Sequence, residues 1–190
     1  MGITERRERE RTEREQRIVS AARRVAETEG WNAVTIRRLA DEIEHSQPVL
    51  YSHFQNREAI VAAVALAGFR DLATHLQRAP QGAAGPRSAL VAVAMAYLAF
   101  ARDRPALYEA MFTFPTGLIF AEAESPVELR EAFAALATVV ASVNEEVDVA
   151  TETFWAGLHG LAELERSGRI RTGARAERVE FLVAGLFGLS

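Results

Sequence analysis

The stretch Thr35–Arg57, TIRRLADEIEHSQPVLYSHFQNR, gathers side chains suited to recognition chemistry. Gln47 carries an amide, Tyr51 a phenol and His53 an imidazole, each able to exchange hydrogen bonds with a polar partner. Ile36, Leu39, Ala40 and Ile43 recur at the spacing of one helical face;. Leu39, Ala40, Ile43, Leu50 and Phe54 are expected to face inward and lock two short helices across a sharp turn. Because Leu50 and Phe54 take the core side, Gln47, Val49, Tyr51 and His53 cannot all be buried. The second helix should therefore turn amide, phenol and imidazole outward, a display that can enter the major groove of duplex DNA.

The surrounding elements must position this pair. Ala, Leu, Glu and Arg dominate the chain and period-two alternation is scarce, so the expected fold is all-α with about nine helices. Residues 1–14 are a mixed-charge arm with almost nothing apolar, expected to fray or extend from the first helix. Ile18, Ala22, Val25 and Ala26 share one face of a helix that Gly30 should stop. Thr35, Ser46 and Asn56 are candidate N-caps, and Pro48 suits a first helical turn. A long helix follows to about Arg78, and the Pro- and Gly-rich 79–87 is a loop. Helices are expected over Ser88–Arg102, Pro105–Phe112, Pro126–Val143, Val149–Ser167 and Ala174–Leu189. The boundaries drawn are 1–60 for a three-helix helix–turn–helix domain with its arm, and 61–190 for a second helical domain.

The chain has 190 residues, is 49% hydrophobic and carries a net charge of −4. The charge is uneven: residues 1–70 hold 12 Arg against 11 acids, and residues 71–190 hold 10 Arg against 15 acids. A DNA-binding face needs local basicity, not a basic whole. Every basic residue is Arg, which suits bidentate contacts to phosphate and guanine;. Cys is absent, which excludes disulfides and Cys-ligated zinc;. No apolar run suggests a membrane span, and the start lacks the apolar core of a secretory signal, so a cytoplasmic protein is expected.

SQPVLYSHFQNRE resembles the signature of the TetR family of repressors nearly residue by residue, and the likeness covers residues 15–70 most strongly. The resemblance implies that Thr35 caps the first motif helix and approaches phosphate, and that Arg37 contacts a base or phosphate. Gln47 and Pro48 would form the groove-entering tip, Gln47 facing adenine and Pro48 a thymine methyl, with Val49 beside them. Tyr51 and His53 would contact phosphate, and Arg57 would replace the usual Lys phosphate clamp. One departure stands out. Where relatives have Gly and then a branched apolar residue in the motif turn, this chain has Glu44 and His45. A left-handed turn at Glu44 would cost about 1 kcal/mol more than at Gly.

Beyond residue 70 the resemblance is weaker. FWAGLHGL is similar to a Trp-His-Gly motif of one TetR C-terminal subfamily, with Trp155 and His159 on one helical face;. An aromatic and Met cluster, Tyr97, Phe100, Met111, Phe112, Phe114 and Phe120, suits core packing or, with Trp155 and His159, a pocket for a small apolar or amphipathic effector. Phe181–Leu189 is almost uncharged, and a helix apolar all round must be covered. Leu161, Leu164, Phe181, Leu182, Gly185 and Leu186 are the expected homodimer face. The family likeness implies a regulator that binds a palindromic double-stranded operator and is released by its effector. The alternative is an activating or architectural DNA-binding dimer without one. An enzyme acting through His159 with Glu163 or Glu165 lacks a nucleophile or metal set, so no catalytic residue, metal or cofactor is expected.

Overall fold

A computed structural model describes residues 2–119, 122 and 124–189 of the chain. Among them are nine α-helices: α1 (Ile3–Glu29), α2 (Ile36–Glu42), α3 (Gln47–Tyr51), α4 (Arg57–Arg78), α5 (Pro86–Asp103), α6 (Pro105–Phe112), α7 (Val127–Val140), α8 (Val147–Arg166) and α9 (Arg175–Phe187). Short 3₁₀ turns stand at Trp31–Ala33 and Thr172–Ala174, and no strand occurs among the described residues. The all-α expectation holds.

Of the two expectations for the amino-terminal arm, fraying or extension from the first helix, the structure has the second. Its residues are the opening turns of α1, which is 27 residues long. Arg and Glu are good helix formers, and at i,i+4 they pair: Arg6–Glu10 at 3.4 Å, Arg9–Glu13 at 3.7 Å and Arg11–Glu15 at 3.0 Å;. Each exposed pair contributes only about 0.3–0.5 kcal/mol, but they add along one helix that is anchored downstream by tertiary packing. Gly30, with φ 82°, ends the helix and donates its N–H to the Ala26 carbonyl.

The chain divides into two compact units, residues 1–68 with 106–118, and residues 69–105 with 119–190. This differs from a cut at residue 60, because α6 and the segment after it belong with the helix–turn–helix elements. The reasons are specific. Trp31 is buried and donates its indole N–H to the Ala106 carbonyl at 2.9 Å. The Glu27 carboxylate accepts the N–H groups of Leu107 (3.0 Å) and Ala106 (3.2 Å), capping the otherwise orphaned donors at the start of α6;. Leu107 and Met111 then lie against Gly68 of α4, where an added Cβ would fall 2.7 Å from the Met111 sulfur. A side chain there would force the Met111 and Leu107 side chains to shift.

In the second unit α5 packs with α7, α8 and α9, and α8 also contacts α7 and α9. The core is filled by Leu90, Val93, Tyr97, Leu136, Phe154 and Leu158, each nearly or fully buried. The Glu165 carboxylate of α8 is clasped by Arg175 and, at 2.7 Å, by Arg178, which ties α9 to α8. Burial works against its charge, but the hydrogen bonds from the two guanidiniums prevail and hold the carboxyl below its ordinary range;. α4 is long and apolar enough to cross a membrane, yet half of that stretch is buried within the protein, as in a core helix.

Candidate nucleic-acid interface

The helix–turn–helix is built from local signals and a few long-range ties. The Thr35 side chain accepts the Arg38 N–H at 3.1 Å and so starts α2. Asn56 does the same for α4, its side-chain oxygen accepting the Ala59 N–H at 2.8 Å. Ser46 precedes α3 without a side-chain cap, Pro48 standing instead in the first turn. Between α2 and α3, Glu44 takes φ 57°, the one non-glycine residue with positive φ among those described. The turn thus keeps the left-handed geometry that Gly would favour. His45 donates its backbone N–H to the Ala40 carbonyl at 2.9 Å, closing it.

That strain makes a prediction. Glu44→Gly is expected to stabilise the fold by up to about 1 kcal/mol, because relief of about 1–2 kcal/mol of left-handed strain exceeds the extra chain entropy Gly loses. The check is a higher urea midpoint at unchanged slope. A lower midpoint would mean that the glutamate side chain itself stabilises the turn.

Leu50 is completely buried and pins α3 from behind, with Phe54 half-buried just after it. On the opposite side Gln47 and Pro48 are exposed, Val49 is half-buried, and Tyr51 is 54% exposed. Arg37 on α2 is also exposed and takes part in no ion pair among the described residues. Thr35 lies at the surface, with its hydroxyl oxygen used as the cap. Five groups able to touch DNA, Thr35, Arg37, Gln47, Pro48 and Tyr51, therefore lie exposed on this motif.

Two expected contacts depart from this pattern. The His53 side chain is only 4% exposed, and its Nδ1 lies 3.2 Å from the Glu15 carboxylate of α1. It is not an outward imidazole. The chain past α3 turns it under, where Glu15 provides a partner. Burial opposes the charge on Glu15, but hydrogen bonds from Arg11 and His53 hold its pKa below the usual value. Arg57 is likewise turned inward. Its Nε donates to the Val34 carbonyl (2.9 Å) and its Nη2 to the Trp31 carbonyl (2.7 Å), so it braces the segment between α1 and α2. Sequence reasoning missed Glu15, Glu27 and Trp31 in these supporting roles, because the partners stand 38 to 80 residues away and no periodicity reports them.

Residues 18–64 match the family model described as bacterial regulatory proteins, tetR family, and residues 90–186 match the model described as tetracyclin repressor-like, C-terminal domain. An uncharacterized HTH-type transcriptional regulator of Mycobacterium tuberculosis, Rv0681, is 32% identical over 154 residues, which cover 80% of this chain and 69% of that protein. The chain belongs to the TetR family. As a TetR-family member it is a DNA-binding transcriptional regulator and not an enzyme. Solved structures agree on the fold. A protein of unknown function from Rhodococcus sp. RHA1 superposes with a TM-score of 0.75 at 22% identity, covering 92% of this chain and 93% of that one. A TetR variant from Acinetobacter baumannii AYE in complex with minocycline gives a TM-score of 0.63 at 18% identity, covering 90% and 92%.

The residues expected to line an effector pocket are divided between the units of this TetR-family chain. In the second, Tyr97 and Phe100 are buried, and the Trp155 indole donates to the Tyr97 hydroxyl at 3.0 Å. His159 is half-buried; burial holds its pKa below the ordinary value, although Glu163 pulls the other way. In the first unit Met111 is buried, the Phe112 and Tyr108 rings meet at a tilt with centroids 4.7 Å apart, and Phe114 meets the Trp31 ring edge-on at 5.5 Å. Phe120 lies outside the described residues. Along α8 and α9, Leu161 and Leu182 are half-buried, whereas Leu164, Phe181, Gly185 and Leu186 are exposed. Leu182 sits over Gly157, where a Cβ would come within 2.9 Å.

Proposed function

We propose that the chain is a homodimeric cytoplasmic repressor that leaves a palindromic operator when a small apolar or amphipathic effector binds. The observation that carries the reading is the exposure of Gln47, Pro48 and Tyr51 over a fully buried Leu50. Such a helix reads few base pairs alone, so two copies related by a two-fold axis reading inverted half-sites provide the needed specificity. Gln47 is suited to the paired N6 and N7 positions of adenine, Pro48 to a thymine methyl, with Val49 beside them, and Thr35, Arg37 and Tyr51 to flanking phosphates. His53 and Arg57 support these residues from behind and do not themselves reach out.

The proposed effector site takes in Tyr97, Phe100, Trp155 and His159 of the second unit, where Tyr97 and Phe100 are buried and the Trp155 indole donates to the Tyr97 hydroxyl;. Burial of His159 disfavours a charged imidazole there, which suits an uncharged ligand;. Its binding shifts the population toward a form in which the two reading helices of the dimer no longer match the half-site spacing.

Selection of bound duplexes from a random pool tests this. The expected product is a two-fold symmetric sequence with half-sites about one helical turn apart, roughly 34–36 Å. Uncharged aromatic compounds should release that duplex before charged ones do. Enrichment of a single asymmetric site, or of no sequence at all, contradicts the proposal.

A further inference from the structure

The helical arm sorts its charges by side. At 3.6 residues per turn, Arg7 lies about five turns before Val25 and so shares its side of α1. Arg11 and Arg14 precede the buried Ile18 by spacings that keep them within about 40° of that direction;. The side of α1 that is apolar where the core covers it thus becomes arginine where the core ends. Glu5 and Glu13 stand about 140° from the Ile18 direction around the helix, and Glu8 about 80°. Arg6 and Arg9 engage Glu10 and Glu13, whereas Arg7 and Arg14 enter no ion pair among the described residues.

This side also faces a defined neighbour. Arg7, Glu10, Arg11, Arg14, Ser52 and His53 line one shallow groove, so the arginines lie against the residues that immediately follow α3. The two acids nearest the row are both occupied, Glu10 by Arg6, and Glu15 by Arg11 and His53. From Arg7 to Arg14 the helix advances about 10 Å, equal to the axial rise of roughly three nucleotides of one strand at about 3.4 Å each.

We infer that Arg7, Arg11 and Arg14 form a phosphate-gripping ridge that holds the DNA backbone beside the reading helix. The inference rests on the DNA-binding role of α3. It adds a second, sequence-independent contact surface made by an ordered helix. The ridge sets affinity and salt dependence while α3 sets sequence choice. A preformed helix spares the backbone ordering that an unstructured tail would undergo on binding;.

The test uses the full chain and a fluorescein-labelled duplex of arbitrary sequence, about 40 base pairs or roughly four turns long. Affinity is followed by anisotropy as NaCl is raised. Each phosphate contact contributes about −0.9 to the slope of log K against log salt. The triple variant Arg7→Ala, Arg11→Ala, Arg14→Ala should flatten that slope by about 2–3 per subunit and weaken binding at least about tenfold near 0.1 M salt. The triple Arg→Lys variant should recover most of the slope, and Glu5→Gln, Glu8→Gln, Glu13→Gln should leave affinity within about twofold. Far-UV circular dichroism of each variant reports whether α1 keeps its helix. An unchanged slope in a folded Ala variant overturns the ridge and leaves α3 as the reader. A Lys variant as weak as the Ala variant overturns it too, since a structural role would then explain the loss. If the unaltered chain binds no duplex at all, the DNA reading fails first and the ridge with it.

Discussion

Replacing Phe181 by Asp is expected to turn a dimer into a monomer and to weaken binding to a two-half-site operator by about a hundredfold or more. Phe181 is 83% exposed on α9, where Leu186 is also 36% exposed, and across the groove Leu164 of α8 is 40% exposed. Fully covering one Phe side chain stabilises an association by about 1.5–3 kcal/mol, and two-fold symmetry counts the gain twice. Gly160 on the groove floor has open space above it and leaves room for close helix approach, and Leu161 and Leu182 line the groove walls. Asp at position 181 would have to bury a carboxylate there, so the loss exceeds that of the apolar contact alone. Two linked heads gain about 10²–10⁴ in affinity over one, which sets the size of the DNA effect. The monomer should keep its fold, because Phe181 packs little within its own subunit. Light scattering and an unfolding curve read the two effects separately. A variant that stays dimeric would place the interface elsewhere.

The parts of the molecule that were legible in the sequence are those with short-range causes. Thr35 and Asn56 cap as expected because a cap needs only the N–H three residues on. Gly30 stops α1, and the left-handed turn at Glu44 follows from the motif spacing even though Gly is absent. Helix ends shifted by one to three residues where no strong cap stands, as at Val127, Val140 and Arg175;. What was not legible depends on partners distant in the chain. The arm's composition suggests a solvated tail, but tertiary packing of Ile18 and Val25 nucleates a helix into which the Arg–Glu pairs fit;. His53 has the residue type of a surface contact, yet Glu15 lies 38 positions earlier and draws it inward. Arg57 has the charge for a phosphate clamp, yet two backbone carbonyls take its Nε and Nη2 donors. The grouping of α6 with the reading head rests on Glu27 and Trp31, whose partners no local window contains.

The central claim is that the exposed side of α3 recognises DNA because Leu50 secures its reverse. The double variant Gln47→Ala, Tyr51→Ala tests it with the duplex recovered by selection. Both side chains are exposed, so the unfolding free energy should stay within about 0.5 kcal/mol of the unaltered protein;. Loss of a bidentate base contact and a phosphate contact should weaken binding by about 2–4 kcal/mol, roughly 30- to 1000-fold, and narrow the preference over arbitrary sequence. A folded double variant that binds the selected duplex as tightly and as selectively as the unaltered chain would contradict the account.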